Sequence, residues 1–141
     1  MAAPESPAPN RHARQRPLSP HLQVYKWQVQ MATSILHRAT GVVLVVGLLA
    51  MVWGLTALAG GPDRWDAFAA CVGSTFGQLV LFAFSWALAY HLLNGIRHLV
   101  QDAGHGYAIP DFVRSSWISI IGSVVLVVVV WVIVLARWGQ A

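Results

Sequence analysis

The chain has 141 residues, 57% hydrophobic and 10% charged, with a mean hydropathy of +0.60, a balance that excludes an ordinary soluble domain. A formal charge of +4 and a pI of about 10.0 do not signal nucleic acid here. Arg11, Arg14, Arg16, Lys26 and Arg38 all precede the first long apolar run and do not form a patch on a folded surface.

Three windows carry no Asp, Glu, Lys or Arg: between Arg38 and Asp63, between Asp66 and Arg97, and between Arg114 and Arg137. Each exceeds the roughly 20 residues that cross the hydrocarbon as helix. Three strands cannot close a barrel, and a backbone in lipid must satisfy its own hydrogen bonds, so the spans are helical. The expected fold is an all-α membrane protein with three transmembrane helices, at about 31–59, 67–99 and 114–137. The basic residues ahead of the first span put the N-terminus in the cytoplasm and, after three crossings, the C-terminus outside.

Residues 1–15 are rich in Pro and Ala and read as a disordered cytoplasmic tail of a bacterial inner-membrane protein. No apolar core follows within the first 28 residues, so the tail does not read as a secretory signal. Segment 16–30 differs: Pro17 and Pro20 forbid regular helix, and Tyr25 and Trp27 carry rings suited to the membrane interface. It is either a linker or a surface strap that touches a soluble partner.

The first span opens with Ser34, His37, Arg38 and Gly41 on one helical face at the membrane boundary. Arg38 there either snorkels to lipid phosphate or, facing inward, serves a carbonyl or carboxylate ligand. Gly47 and Gly54 share a face and permit close helix packing. The short loop around Asp63, Arg64 and Asp66 is slightly acidic, as a hairpin on the far side should be. Cys71 is the only cysteine, which excludes an intrachain disulfide, and it reads as a small apolar residue in a helix interface.

The second span is expected to run unbroken, with Gln78 and Ser85 bonding across helices and Trp86 and Tyr90 packing. His91 is different, because an imidazole at lipid depth with no acid in its own span needs a partner. Haem iron or another metal, a water, or a group on a neighbouring chain would each serve. His98 follows seven residues later, about 20° around the helix and roughly 10.5 Å along it, so both rings stand on one face. Gly95, one turn from His91, leaves space for a flat group against the backbone. These features suggest a haem ligand at His91, with His98 and Arg97 at the polar edge of the cofactor. Asp102, four residues on, is placed to orient His98 or accept from Arg97. Gly104 and Gly106 end the helix, and His105 reads as solvated. The third span holds no ionisable group within its apolar run and reads as packing, with Trp117, Trp131 and Trp138 as interfacial or interhelical rings.

Three motifs resemble one family. Arg16-Pro17-Leu18-Ser19-Pro20-His21-Leu22, Ser34-Ile35-Leu36-His37-Arg38-x-Thr40-Gly41 and His91-x-x-Asn94-Gly95-Ile96-Arg97-His98-Leu99-x-x-Asp102 are similar to the cytochrome b subunit of succinate dehydrogenase, the larger membrane anchor of respiratory complex II. The likeness covers about residues 16–138, with Gln101 standing where many mitochondrial-type members have Trp. It implies that His91 is one axial ligand of haem b, the other coming from a second membrane anchor subunit. It further implies that His37, Arg38 and His98 meet the haem propionates, and that Ser34 and Arg38 line a ubiquinone pocket beside the iron–sulfur subunit. A flavoprotein subunit completes such a complex. This chain carries no flavin or iron–sulfur motif and would not oxidise succinate alone. The alternatives are the anchor of a fumarate reductase, and a haem-free structural anchor in which His91 only bonds across helices. A transporter would show inverted repeats with interrupted helices, which this sequence lacks.

Overall fold

The computed structural model describes residues 26–138, which form four α-helices and no strand. They are α1 (Val29–Ala59), α2 (Pro62–Gly73), α3 (Thr75–Asp102) and α4 (Ile109–Trp138). The 1–15 tail, most of the 16–30 segment and His21 lie outside the described residues. Helices α1, α3 and α4, of 31, 28 and 30 residues, are each long and apolar enough to cross a bilayer. This is an all-α membrane protein with three spans.

The second leg is not the continuous helix that its apolar run suggests. It breaks at Ser74, whose backbone leaves the helical region at φ −63° and ψ 156°. The Ser74 hydroxyl accepts from the Gly77 amide at 3.1 Å and donates to the Cys71 carbonyl at 2.7 Å, capping α3 and closing α2 together. Gly77 makes the joint possible, because a Cβ there would run into the carbonyls of Cys71 and Val72. Cys71 lies exposed on α2 and is not in an interface within this chain. At the other end, α3 closes in a Schellman turn. The Gly104 amide donates to Gln101, the His105 amide to Val100, and Gly104 takes φ +86°. His105 is exposed.

Burial is inverted relative to a soluble bundle. Thr33, Thr40, Asn94, Arg97, Gln101, Ser116, Ser119 and Ser123 are buried, whereas Val42, Val45, Leu49, Leu92 and Ile133 point outward. Lipid removes the hydrophobic drive between helices, so small and hydrogen-bonding side chains make the contacts. Gly54 receives the Phe68 ring of α2, and Gly47 receives Phe84 of α3. Ser85 accepts from Trp131 Nε1 at 3.4 Å, joining α3 to α4, and Gln78 donates to the Gly73 carbonyl across the break. A Cβ on Gly47 would overlap the Phe84 ring, while nothing lies within 4 Å of one on Gly73. Gly47→Val is therefore expected to destabilise the bundle by about 1–3 kcal/mol. Gly73→Ala should be neutral or stabilising, and the melting temperatures of the two purified variants check the difference.

Candidate functional site

Three imidazoles meet where the first turns of α1 pack on the last turns of α3. The His37 and His91 rings stack at a centroid distance of 3.9 Å and an interplanar angle of 14°. The His98 ring lies 5.1 Å from His37, tilted by 49°. The His91–His98 face read from the seven-residue spacing thus gains a third ring from α1. Parallel stacking keeps the nitrogens of His37 and His91 from converging on one ion. Among the described residues no three His, Cys, Asp or Glu side chains form a metal site.

The surroundings of His91 fix its tautomer. Its Nδ1 lies 3.2 Å from the His37 carbonyl oxygen and 3.2 Å from Thr40 Oγ1. A carbonyl can only accept, so Nδ1 carries the proton and donates. Thr40 agrees, because its own hydroxyl hydrogen is directed to the carbonyls of Leu36 and His37 at 2.9 and 3.0 Å, leaving its lone pairs for the imidazole. The lone pair of His91 is therefore on Nε2, which makes no hydrogen bond among the described residues. An imidazole with Nδ1–H held by a backbone carbonyl and Nε2 open is the form that ligates a metal. Gly41 permits the approach, since a Cβ there would sit 3.2 Å from His91 Cε1. The nearest atom to a Cβ on Gly95 is His37 Cε1 at 3.9 Å, so the space beside Gly95 borders this cluster. His37 Nδ1 is buried without a partner among the described residues. An open imidazole nitrogen, an orphaned second imidazole and the side-chain-free surface at Gly95 fit a flat iron cofactor seated at this face.

The four-residue face on α1 divides. His37 and Gly41 turn to α3, Ser34 is half-buried, and Arg38 is exposed and does not join the histidines. Tyr90, fully buried, donates to the Thr33 carbonyl at 2.9 Å and ties this turn of α1 to α3. Asp102 is exposed and orients neither His98 nor Arg97, which corrects that expectation. Asn94 contacts His98 instead, at 3.2 Å. Arg97 is also corrected: it is 7% exposed and turns toward α4, away from the imidazole face. Its Nε donates to Ser115 Oγ at 3.0 Å, its Nη1 to Asn94 Oδ1 at 3.2 Å, and its guanidinium lies 4.4 Å over the Phe112 ring. Gln101 is buried with its Nε2 unpartnered among the described residues.

The third span is therefore not silent, since Phe112 and Ser115 hold Arg97. The signal for this lay in Ser115, Ser116, Ser119 and Ser123, which stripe one face of an otherwise apolar helix. A cavity of about 700 Å³ opens elsewhere, between α2, α3 and α4, where Phe68, Leu81, Ser85 and Trp131 line it. It contains no titratable group and is separate from the histidines.

Fold and site together define a three-span membrane subunit with one ligand-ready imidazole. A sequence profile of the succinate dehydrogenase/fumarate reductase transmembrane subunit family matches residues 12–130. The chain is 44% identical over 118 residues to the succinate dehydrogenase cytochrome b556 subunit of Paracoccus denitrificans, covering 84% of this chain and 91% of that one. It is 39% identical over 117 residues to the cytochrome b556 subunit of Rickettsia prowazekii, covering 83% and 91%. Against the mitochondrial cytochrome b560 subunit of Mus musculus it is 42% identical over 118 residues, covering 80% and 66%. The chain belongs to the succinate dehydrogenase/fumarate reductase transmembrane subunit family, and within it is a membrane-anchor subunit of the succinate dehydrogenase cytochrome b type.

Proposed function

We propose that His91 Nε2 is one axial ligand of a b-type haem shared with a second anchor subunit, and that this chain helps form a ubiquinone-reduction site. The observation that carries the haem reading is the open Nε2 of an imidazole whose Nδ1–H is held by the His37 carbonyl and Thr40. Among the described residues one imidazole has this form, so a second ligand to a six-coordinate haem would come from the other anchor. A haem-free anchor, in which His91 only bonds across helices through Nδ1, would leave Nε2 without a partner. When bound, the haem supplies a one-electron redox centre whose potential follows its axial ligands and nearby charge.

The residues of this chain would act around that centre. His91 would hold the iron, His37 and His98 would donate to propionate oxygens, and Arg38 would lend them positive charge. Ser34 and Arg38 would line the quinone pocket. Quinone reduction takes two electrons and two protons, so negative charge develops on the quinone oxygens. A guanidinium and a hydroxyl fixed at the membrane boundary stabilise that charge.

The electrons would arrive from an iron–sulfur subunit, itself fed by a flavoprotein that oxidises succinate, so this chain is not catalytic alone. Basic residues ahead of α1 support a cytoplasmic N-terminus; the membrane would be a bacterial inner membrane, and segment 16–30 would contact the soluble subunits. The optical spectrum and subunit composition of the complex purified through this chain test the reading. A reduced-minus-oxidised b-type band with co-purifying flavoprotein and iron–sulfur subunits is expected. A pure complex without porphyrin absorbance would overturn it.

A further inference from the structure

We infer that Arg97, acting through Asn94, is a positioning residue that fixes the tautomer of His98 and so decides which nitrogen His98 presents to a ligand. A guanidinium has donors only, so the Asn94 atom facing Arg97 Nη1 at 3.2 Å is the carbonyl oxygen. The amide nitrogen of Asn94 must then face His98 Nε2, 3.2 Å away. An amide NH₂ can only donate, so Nε2 bears the lone pair and the His98 proton resides on Nδ1. With Nε2 engaged, Nδ1–H is the one ring nitrogen left, and His98 meets any further partner as a donor. That polarity suits an anionic oxygen such as a haem carboxylate, and to this extent the inference rests on the haem reading above.

The orientation originates on α4. The guanidinium is held by the Phe112 ring beneath it and by Ser115 Oγ, which accepts from Nε while donating to the Phe112 carbonyl at 3.1 Å. Asn94 is fully buried and Arg97 is 7% exposed, so water does not compete for either contact. The chain of bonds runs Phe112–Ser115–Arg97–Asn94–His98, from the third span to the imidazole face of α3. Without Arg97 the Asn94 amide would keep only its His98 contact and could turn over, which would reverse the proton on His98.

Asn94→Asp tests this, because a carboxylate keeps its partner in Arg97 but offers His98 only an acceptor. The probe is ¹⁵N-histidine solid-state NMR of the purified complex in lipid, with the His98 signal assigned by its loss in His98→Gln. In the native complex His98 is expected with Nδ1 protonated and Nε2 bare. In Asn94→Asp the proton moves to Nε2. Arg97→Lys, still a pure donor, should retain the native pattern, whereas Arg97→Met should give a mixture of tautomers. A purely structural role for Arg97 would lower stability in both Arg97 variants and leave the tautomer unchanged. A native His98 protonated at Nε2, or an Asn94→Asp complex with the native pattern, would overturn the inference. The native measurement decides even where a variant fails to assemble. Haem binding is tested separately, by the optical spectrum of the same samples.

Discussion

Replacing His91 by leucine is expected to remove or severely perturb the b-type signal in the reduced-minus-oxidised spectrum of the purified complex. Leucine is apolar and cannot ligate iron. The substitution also leaves no stranded hydrogen-bonding group around it. Thr40 keeps its bonds to the carbonyls of Leu36 and His37, and the His37 carbonyl keeps its bond from Thr40. The penalty for an orphaned buried donor, about 1–3 kcal/mol, is therefore avoided, and the subunit should still assemble. Spectral loss in an assembled complex then reports ligation and not misfolding. An unchanged spectrum would remove His91 from the iron.

The second large effect is expected at Arg38. Arg38→Ala should lower succinate–quinone reductase activity on the order of 10²-fold, the cost typical of losing one preorganised charge-stabilising donor. Succinate oxidation by an artificial dye should be nearly unchanged, because that assay draws electrons before the quinone is reached. The structure gives the reason the two assays separate. Arg38 is exposed and takes no part in the His37–His91–His98 cluster, so its removal leaves the packing of α1 on α3 intact. Ser34, one turn before it on the same helix, is half-buried beside it. Equal losses in both assays would assign Arg38 to assembly and not to the quinone.

The spans were legible because ionisable residues vanish over three long windows, a signal that no tertiary contact can disguise. The break at Ser74 was harder to read. Its cues, Gly73, Ser74 and Gly77, lie inside an apolar run, and only the Ser74 cap and the close carbonyls of Cys71 and Val72 give them meaning. The shared face of His91 and His98 followed from helical spacing alone. Their meeting with His37 did not, because it depends on the register of α1 against α3, which Gly41, Gly47 and the Tyr90–Thr33 bond set.

Arg97 stands apart from the histidines for a geometric reason. Six residues from His91 means about 240° around the helix, so the same arithmetic that joined the histidines separates Arg97 from them. Its adjacency to His98 in sequence suggested a shared edge that the helix does not provide. Asp102 misled in a similar way, being close in spacing but exposed to solvent while Asn94 occupied the imidazole nitrogen.

An experimental density map of the intact complex tests the central claim most directly. The account predicts a porphyrin whose iron is bound by His91 Nε2, with Nδ1 still directed at the His37 carbonyl and a histidine of a second polypeptide on the opposite side. A map in which His91 Nε2 faces lipid, or bonds only to protein with no porphyrin beside it, would contradict the account.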